Sequence, residues 1–233
     1  MNVISRCLTI LILVLFVVFA AANRSAQAQT AAKQTAAKQT AAKQSANDLR
    51  LELATKYENI NAMTAAFVQE ASSEFMAAPE RFSGTLLFSG AKYRIQTGSQ
   101  TIVTDGITLW IHNRNEKQVI INDFGGDEMS FSLMTFLRQL GNEYEATLGV
   151  NETHQGVIHH VLNLKPKQEL AQFRSVRLSV RQSDTIVTHL EVIDLNDVQM
   201  TIDLSEIRIN PPITKESFVF IAPPGVELVD LRN

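Results

Sequence analysis

The chain has 233 residues, 45% of them apolar and 19% charged, with a formal net charge of −3, a length that suits one ordinary domain with an appendage. With 21 Lys+Arg against 24 Asp+Glu and no long basic cluster, nucleic acid is not expected as a partner. The single cysteine, Cys7, excludes a disulfide scaffold.

Residues 1–28 read as a signal peptide. Arg6 precedes an uncharged, mainly apolar run from Leu8 to Ala22, short for a membrane span, and small-residue cleavage sites follow at Ala20–Ala22 and Ala26–Ala28. Cleavage after Ala28 is favoured and would leave a cysteine-free mature chain of net charge −5, exported to the periplasm; the alternative is an uncleaved anchor. Residues 29–47 hold three Thr-Ala-Ala-Lys-Gln repeats that fit neither helix nor strand periodicity and read as a polar tether. The folded domain is expected over residues 48–233.

Asp48 is placed to cap a helix whose apolar positions are Leu49, Leu53, Tyr57 and Ile60. Residues 63–68 fit either a strand or a continuation of that helix. Period-two stripes dominate afterwards: Ile158, His160, Leu162 and Leu164; Val176, Leu178 and Val180; Ile186, Thr188, Leu190 and Val192; Val198, Met200, Ile202 and Leu204. Turn signals fall at 104–106, 113–115, 182–184 and 196–197, so the pattern predicts an antiparallel meander with one apolar face. Few helices are available to cover it. One runs from a Ser130 cap to Gly141, and its Phe131, Leu133, Met134, Phe136, Leu137 and Leu140 wrap more than half its circumference, as in a core helix or a lid with a second apolar surface.

No catalytic residues and no metal ligands are expected. Gly125-Gly126-Asp127-Glu128 is similar to a cyclase signature but lacks its final Phe, and it sits in an all-β setting. His159 and His160 are consecutive in a strand and so point to opposite faces. No nucleophile elbow, zinc-protease pair or phosphate loop is present.

Several segments together resemble the LolA family of periplasmic lipoprotein carriers: Gly84–Phe88, Lys92–Ile95, Gln100–Ile111 with its Thr-Asp-Gly-x-x-Leu-Trp hairpin, Gln118-Val119, and Phe218–Val226 with its Phe-x-Phe and Pro-Pro-Gly-Val. The resemblance runs from about Asp48 to the C-terminus. It implies a mainly β (α+β) fold, an incomplete antiparallel β-barrel with a helical lid over the concave apolar face, and makes Met63–Gln69 the first strand. It implies a non-enzymatic carrier, without cofactor, that holds the acyl chains of lipoproteins and ferries them from the inner to the outer membrane. The partners implied are acylated lipoproteins, an inner-membrane ATP-driven exporter and an outer-membrane receptor lipoprotein, with the carrier itself a monomer. The rival reading is a related periplasmic sensor, or an amphiphile-binding domain, that delivers nothing.

By face, the expected cavity residues are Leu86, Phe88, Tyr93, Ile95, Leu109, Ile111, Leu162, Val192, Met200, Phe218 and Phe220, and the expected lid residues Phe131, Met134, Phe136 and Leu137. Trp110 falls on the opposite face from Leu109 and Ile111. The family's Arg-Pro turn, whose arginine is thought to latch the lid, is replaced here by Ser89-Gly90-Ala91-Lys92, so that latch is not carried over. Arg94 reads as an outward-facing strand residue.

Overall fold

Alternating apolar residues between turn signals build one large open sheet in the computed structural model, which describes residues 45–124, 133–138, 140–141, 143–167 and 173–232. A helix, α1 (45–58), leads into β1 (Ala62–Ser72), β2 (Glu80–Ser89), β3 (Lys92–Thr97), β4 (Gln100–Thr104), β5 (Thr108–Asn113) and β6 (Gln118–Asp123). Helix α2 (Leu133–Arg138) precedes β7 (Tyr144–Leu148), β8 (Glu152–His154), β9 (Val157–Pro166), β10 (Phe173–Arg181), β11 (Ile186–Asp194) and β12 (Gln199–Ile209). A 3-10 turn at Lys215–Phe218 and a last strand, β13 (Glu227–Asp230), follow. The strand order is β13-β6-β5-β4-β3-β2-β1-β12-β11-β10-β9-β7, with β8 also on β9. Every pairing is antiparallel except β13 on β6, and the two ends of the order do not meet, so the barrel is incomplete.

All four turn signals join neighbouring strands, at β4–β5, β5–β6, β10–β11 and β11–β12. The ambiguous stretch after Ile60 is strand. Two expectations are corrected. Asp48 does not cap α1, because the backbone is already helical at 45 and Ala46, fully buried, begins the packing face that continues through Arg50, Leu53 and Tyr57. The stripe through Ile186, Thr188 and Leu190 is broken by a bulge: Ser179 pairs with His189 but Val180 pairs with Val187, so Val187 and not Thr188 enters the core.

The core lies under the two helices. Leu53, Tyr57 and Ile60 of α1 and its exit, and Phe136, Leu137 and Leu140 of α2 and its exit, pack with Leu162, Leu164, Val176, Leu178, Leu190 and Val192 of the C-terminal strands. Tyr57 fixes α1 to β11 through its hydroxyl, which accepts the Val187 N–H at 3.0 Å. Burial pushes this phenol up to about 12. The fold therefore favours neutral Tyr57, while the unfolded chain titrates near pH 10. Stability is complete below pH 10 and falls as pH rises from 10 to about 12, by roughly 2–3 kcal/mol. In alkaline unfolding titrations Tyr57→Phe is expected to abolish that slope, while starting about 1–2 kcal/mol less stable because Val187 N–H loses its acceptor.

Candidate functional site

The hairpin turns of the N-terminal half bring one residue type into line. Ala65 is opposite Leu86, Leu86 opposite Ile95, Ile95 opposite Ile102, Ile102 opposite Ile111, and Ile111 opposite Ile120. Because directly paired residues share a face, these form a straight row across six strands. Leu86 and the four isoleucines are only partly buried. The row above it, Met63, Phe88, Thr104 and Leu109, is buried, and Tyr93 within it meets Phe124 edge-on at 5.9 Å. Burial raises the Tyr93 phenol above its ordinary value, as apolar surroundings should. The row below turns polar, with Thr97, Gln100, Asn113 and Gln118. The outcome is an apolar belt of partly exposed side chains between a packed edge and a wet one, and among the described residues the helices pack over the other half of the face.

The helices are joined at this boundary by two arginines. Arg50 of α1 donates to the carbonyls of Leu140, at 2.6 Å, and Gly141, just beyond α2. Arg138 of α2 donates to the carbonyls of Tyr57, at 3.2 Å, and Ile60, at 2.6 Å, at the end of α1. Each helix thus has its negative C-terminal carbonyls neutralised by the other's guanidinium. The Arg138 guanidinium also lies 5.5 Å above the Phe88 ring, at the upper edge of the belt.

The other face of the same strands is closed by the C-terminal segment. Arg94 points away from the belt, as expected, and donates to the carbonyls of Ser217, at 2.7 Å, and Val219, at 2.8 Å. Phe220 stacks on Trp110 at 6.4 Å and contacts His112 at 5.9 Å. A cavity of about 230 Å³ on this outer side is lined by Thr64, Leu87, Arg94, Gln96, Glu206 and Arg208 among others. Its mixed polar walls do not suit an alkyl chain.

The expected cavity residues therefore separate into three groups. Leu86, Tyr93, Ile95, Ile111 and Met200 remain partly exposed, the first four in or beside the belt. Phe88 and Leu109 are buried at its upper edge. Leu162 and Val192 are corrected to plain core, because the helices fill the space above them. Phe218 and Phe220 are corrected to the opposite face, because Phe218 ends a 3-10 turn whose neighbouring carbonyls, of Ser217 and Val219, are held by Arg94, and Phe220 stacks on Trp110. Of the lid residues, Phe136 and Leu137 are buried against the core, Phe136 edge-on to Tyr144 at 5.6 Å. Phe131, Ser130 and residues 125–128 lie outside the described residues, as does the side chain of Met134, whose backbone is in α2. Ile102 and Ile120 were missed; their signal was the spacing of the turns, which sets the register.

Catalytic groupings are scarce where they can be judged. Among the described residues no three His, Cys, Asp or Glu side chains are placed to share a metal ion. His159 and His160 have separate partners, the Val157 carbonyl at 3.0 Å and Asn151 Oδ1 at 3.3 Å. Across β8 to β12 the polar side chains are paired: Arg177 bridges Glu152 and Glu191, and His189 contacts Glu191 at 3.2 Å and Asp203 at 2.6 Å. Desolvation works to raise the Glu152 carboxyl, but hydrogen bonds from Arg177, His154 and Ser179 hold it below its ordinary value. No helix of the described residues is long and apolar enough to cross a membrane.

Residues 58–221 match the family model described as "Outer membrane lipoprotein carrier protein LolA". The outer-membrane lipoprotein carrier protein of Legionella pneumophila (strain Corby) is 28% identical over 184 residues, covering 76% of this chain and 87% of that protein. That of Dechloromonas aromatica (strain RCB) is 26% identical over 176 residues, covering 74% and 83%. Among solved structures, an uncharacterized conserved protein from Thermus thermophilus superposes with a TM-score of 0.52 at 11% identity, over 80% of this chain and 99% of that one, a likeness of fold.

Proposed function

Because the chain belongs to the LolA family of outer membrane lipoprotein carrier proteins, we propose that it shields lipoprotein acyl chains on the apolar belt while they cross from the inner to the outer membrane. The family is one of carriers, not of enzymes. The observation that carries the reading is the line of partly exposed isoleucines beside a helix pair. An acyl chain is insoluble, each buried methylene being worth about 0.8 kcal/mol, so passage through water requires an apolar surface. Such contacts are weakly directional, and release needs only an acceptor that holds the chain more tightly.

In this reading an ATP-driven exporter of the inner membrane supplies acylated lipoproteins, an outer-membrane receptor lipoprotein takes them, and the carrier works in the periplasm as a monomer. Residues 1–28 are the leader, cut after Ala28, and the tether expected over 29–47 ends at residue 44, because 45–47 belong to α1 and Ala46 is buried in the core. The test is to incubate the mature protein with spheroplasts and assay released lipoprotein in the supernatant. Release is expected to fall at least tenfold with Ile111→Asp, which puts a charge in the middle of the belt. Mature protein that releases nothing and shows no response to acyl ligands would overturn the reading in favour of a sensor.

A further inference from the structure

We propose that the cavity on the outer face of the sheet is a binding site for a glycerol phosphate group, either the free ester or the headgroup of phosphatidylglycerol. It lies on the side away from the belt and does not depend on the carrier reading. The register sets its plan: Arg208 of β12 is opposite Thr64 of β1, Thr64 opposite Leu87 of β2, and Leu87 opposite Arg94 of β3. Directly paired residues share a face, so the two arginines end one row, with their backbones roughly 14 Å apart at three strand spacings. Thr85 and Gln96, opposite one another in the next row, and Glu206 complete the polar lining. The cavity of about 230 Å³ has the volume of about eight water molecules, so its ligand is small.

What sets this place apart is polar groups left without partners. Elsewhere on the strands Arg81, Arg174, Arg177 and Arg181 each pair with a carboxylate. Arg94 is met only by the carbonyls of Ser217 and Val219, and burial lowers its guanidinium from its ordinary value with no acid to offset that. Among the described residues the side chains of Thr64, Thr85, Gln96, Glu206 and Arg208 make no hydrogen bond or ion pair. A bulge in β12 assembles the cluster. Ser205 pairs with Ala66 but Arg208 with Thr64, so the extra residue brings Arg208 to the outer face, where strict alternation would turn it inward. Glu206, inside the bulge, takes a φ of 52°, a conformation that is costly for any residue but glycine.

The donors select the ligand. One arginine in a bidentate pair already satisfies both oxygens of a planar carboxylate, whereas a tetrahedral phosphate has oxygens for two guanidiniums and a threonine hydroxyl as well. Glu206 would repel a bare phosphate, but it accepts a hydrogen bond from a neighbouring hydroxyl. Glycerol phosphate carries both groups.

The experiment titrates the mature protein calorimetrically with glycerol 3-phosphate and with inorganic phosphate, and cosediments it with phosphatidylglycerol vesicles, using phosphatidylcholine vesicles as the blank. Glycerol phosphate is expected to bind several-fold more tightly than inorganic phosphate. Arg208→Gln is expected to weaken it about tenfold or more, and Glu206→Gln to remove the preference by tightening inorganic phosphate. Both side chains are exposed, so the variants should fold. Cosedimentation lost in Arg208→Gln identifies the lipid headgroup as the source; binding of the free ester, with no Arg208-dependent cosedimentation, identifies the soluble ester. The proposal is overturned if neither the ester nor the vesicles bind in an Arg208-dependent way, or if inorganic phosphate binds as tightly as the ester.

Discussion

Gly84→Ala is expected to destabilise the domain by about 3 kcal/mol or more. A Cβ at residue 84 would lie 1.9 Å from the Gln96 carbonyl oxygen and 3.2 Å from the edge of the Phe67 ring. The first contact is with backbone, so relief requires β2 and β3 to separate where Gly84 pairs with Thr97. Those two strands carry Leu86 and Ile95, and the belt would be distorted along with the fold. Gly98→Ala is the internal control, since no atom lies within 4 Å of a Cβ there. In urea titrations the first variant should show a much lower midpoint and the second one close to the parent, with similar slopes.

Arg50→Met is expected to cost about 2–4 kcal/mol, and Arg138→Met somewhat less. Arg50 is 3% exposed, so its loss leaves the carbonyls of Leu140 and Gly141 short of donors in a site water reaches poorly. Arg138 is partly exposed and water can replace it at Tyr57 and Ile60, though not in its position over Phe88. Since both arginines fasten the same two helices, the double variant should lose less than the two single losses combined. Hydrogen exchange distinguishes fastening from general stability: amides of α1 and α2 should open sooner, while those of β10 and β11 keep their protection. The family's own latch is missing from the β2–β3 turn, where Gly90 adopts a φ of 61°. The connection between the helices is made here by the helices themselves.

Much of the architecture was legible because half-buried strands announce themselves. Val176, Leu178 and Val180 alternate with Ser and Arg, and the Asp105–Gly106 and Asn113–Asn115 turns mark where the chain reverses. Bulges were not legible, since Thr188 has the same period as its neighbours and only pairing shows that it is the extra residue. Nor could core be told from binding surface. Leu162 and Ile111 are both apolar strand residues, and what separates them is the helix pair over one half of the sheet. Phe218 and Phe220 looked like a lining stripe because alternation says that two residues share a face, not which face it is. The register of the isoleucines was available in principle, from turns centred near 98–99, 106–107 and 115–116.

The position of β1 in the strand order has a kinetic corollary. It is flanked by β2 and by β12, so the middle of the sheet joins residues 62–72 to residues 199–209, and the β6 edge waits for residues 227–230. Such distant partners make for high contact order, and the barrel cannot be assembled piecemeal as the polypeptide emerges. Acquisition of native structure is deferred until nearly the whole chain has been synthesised, which is compatible with the export proposed above.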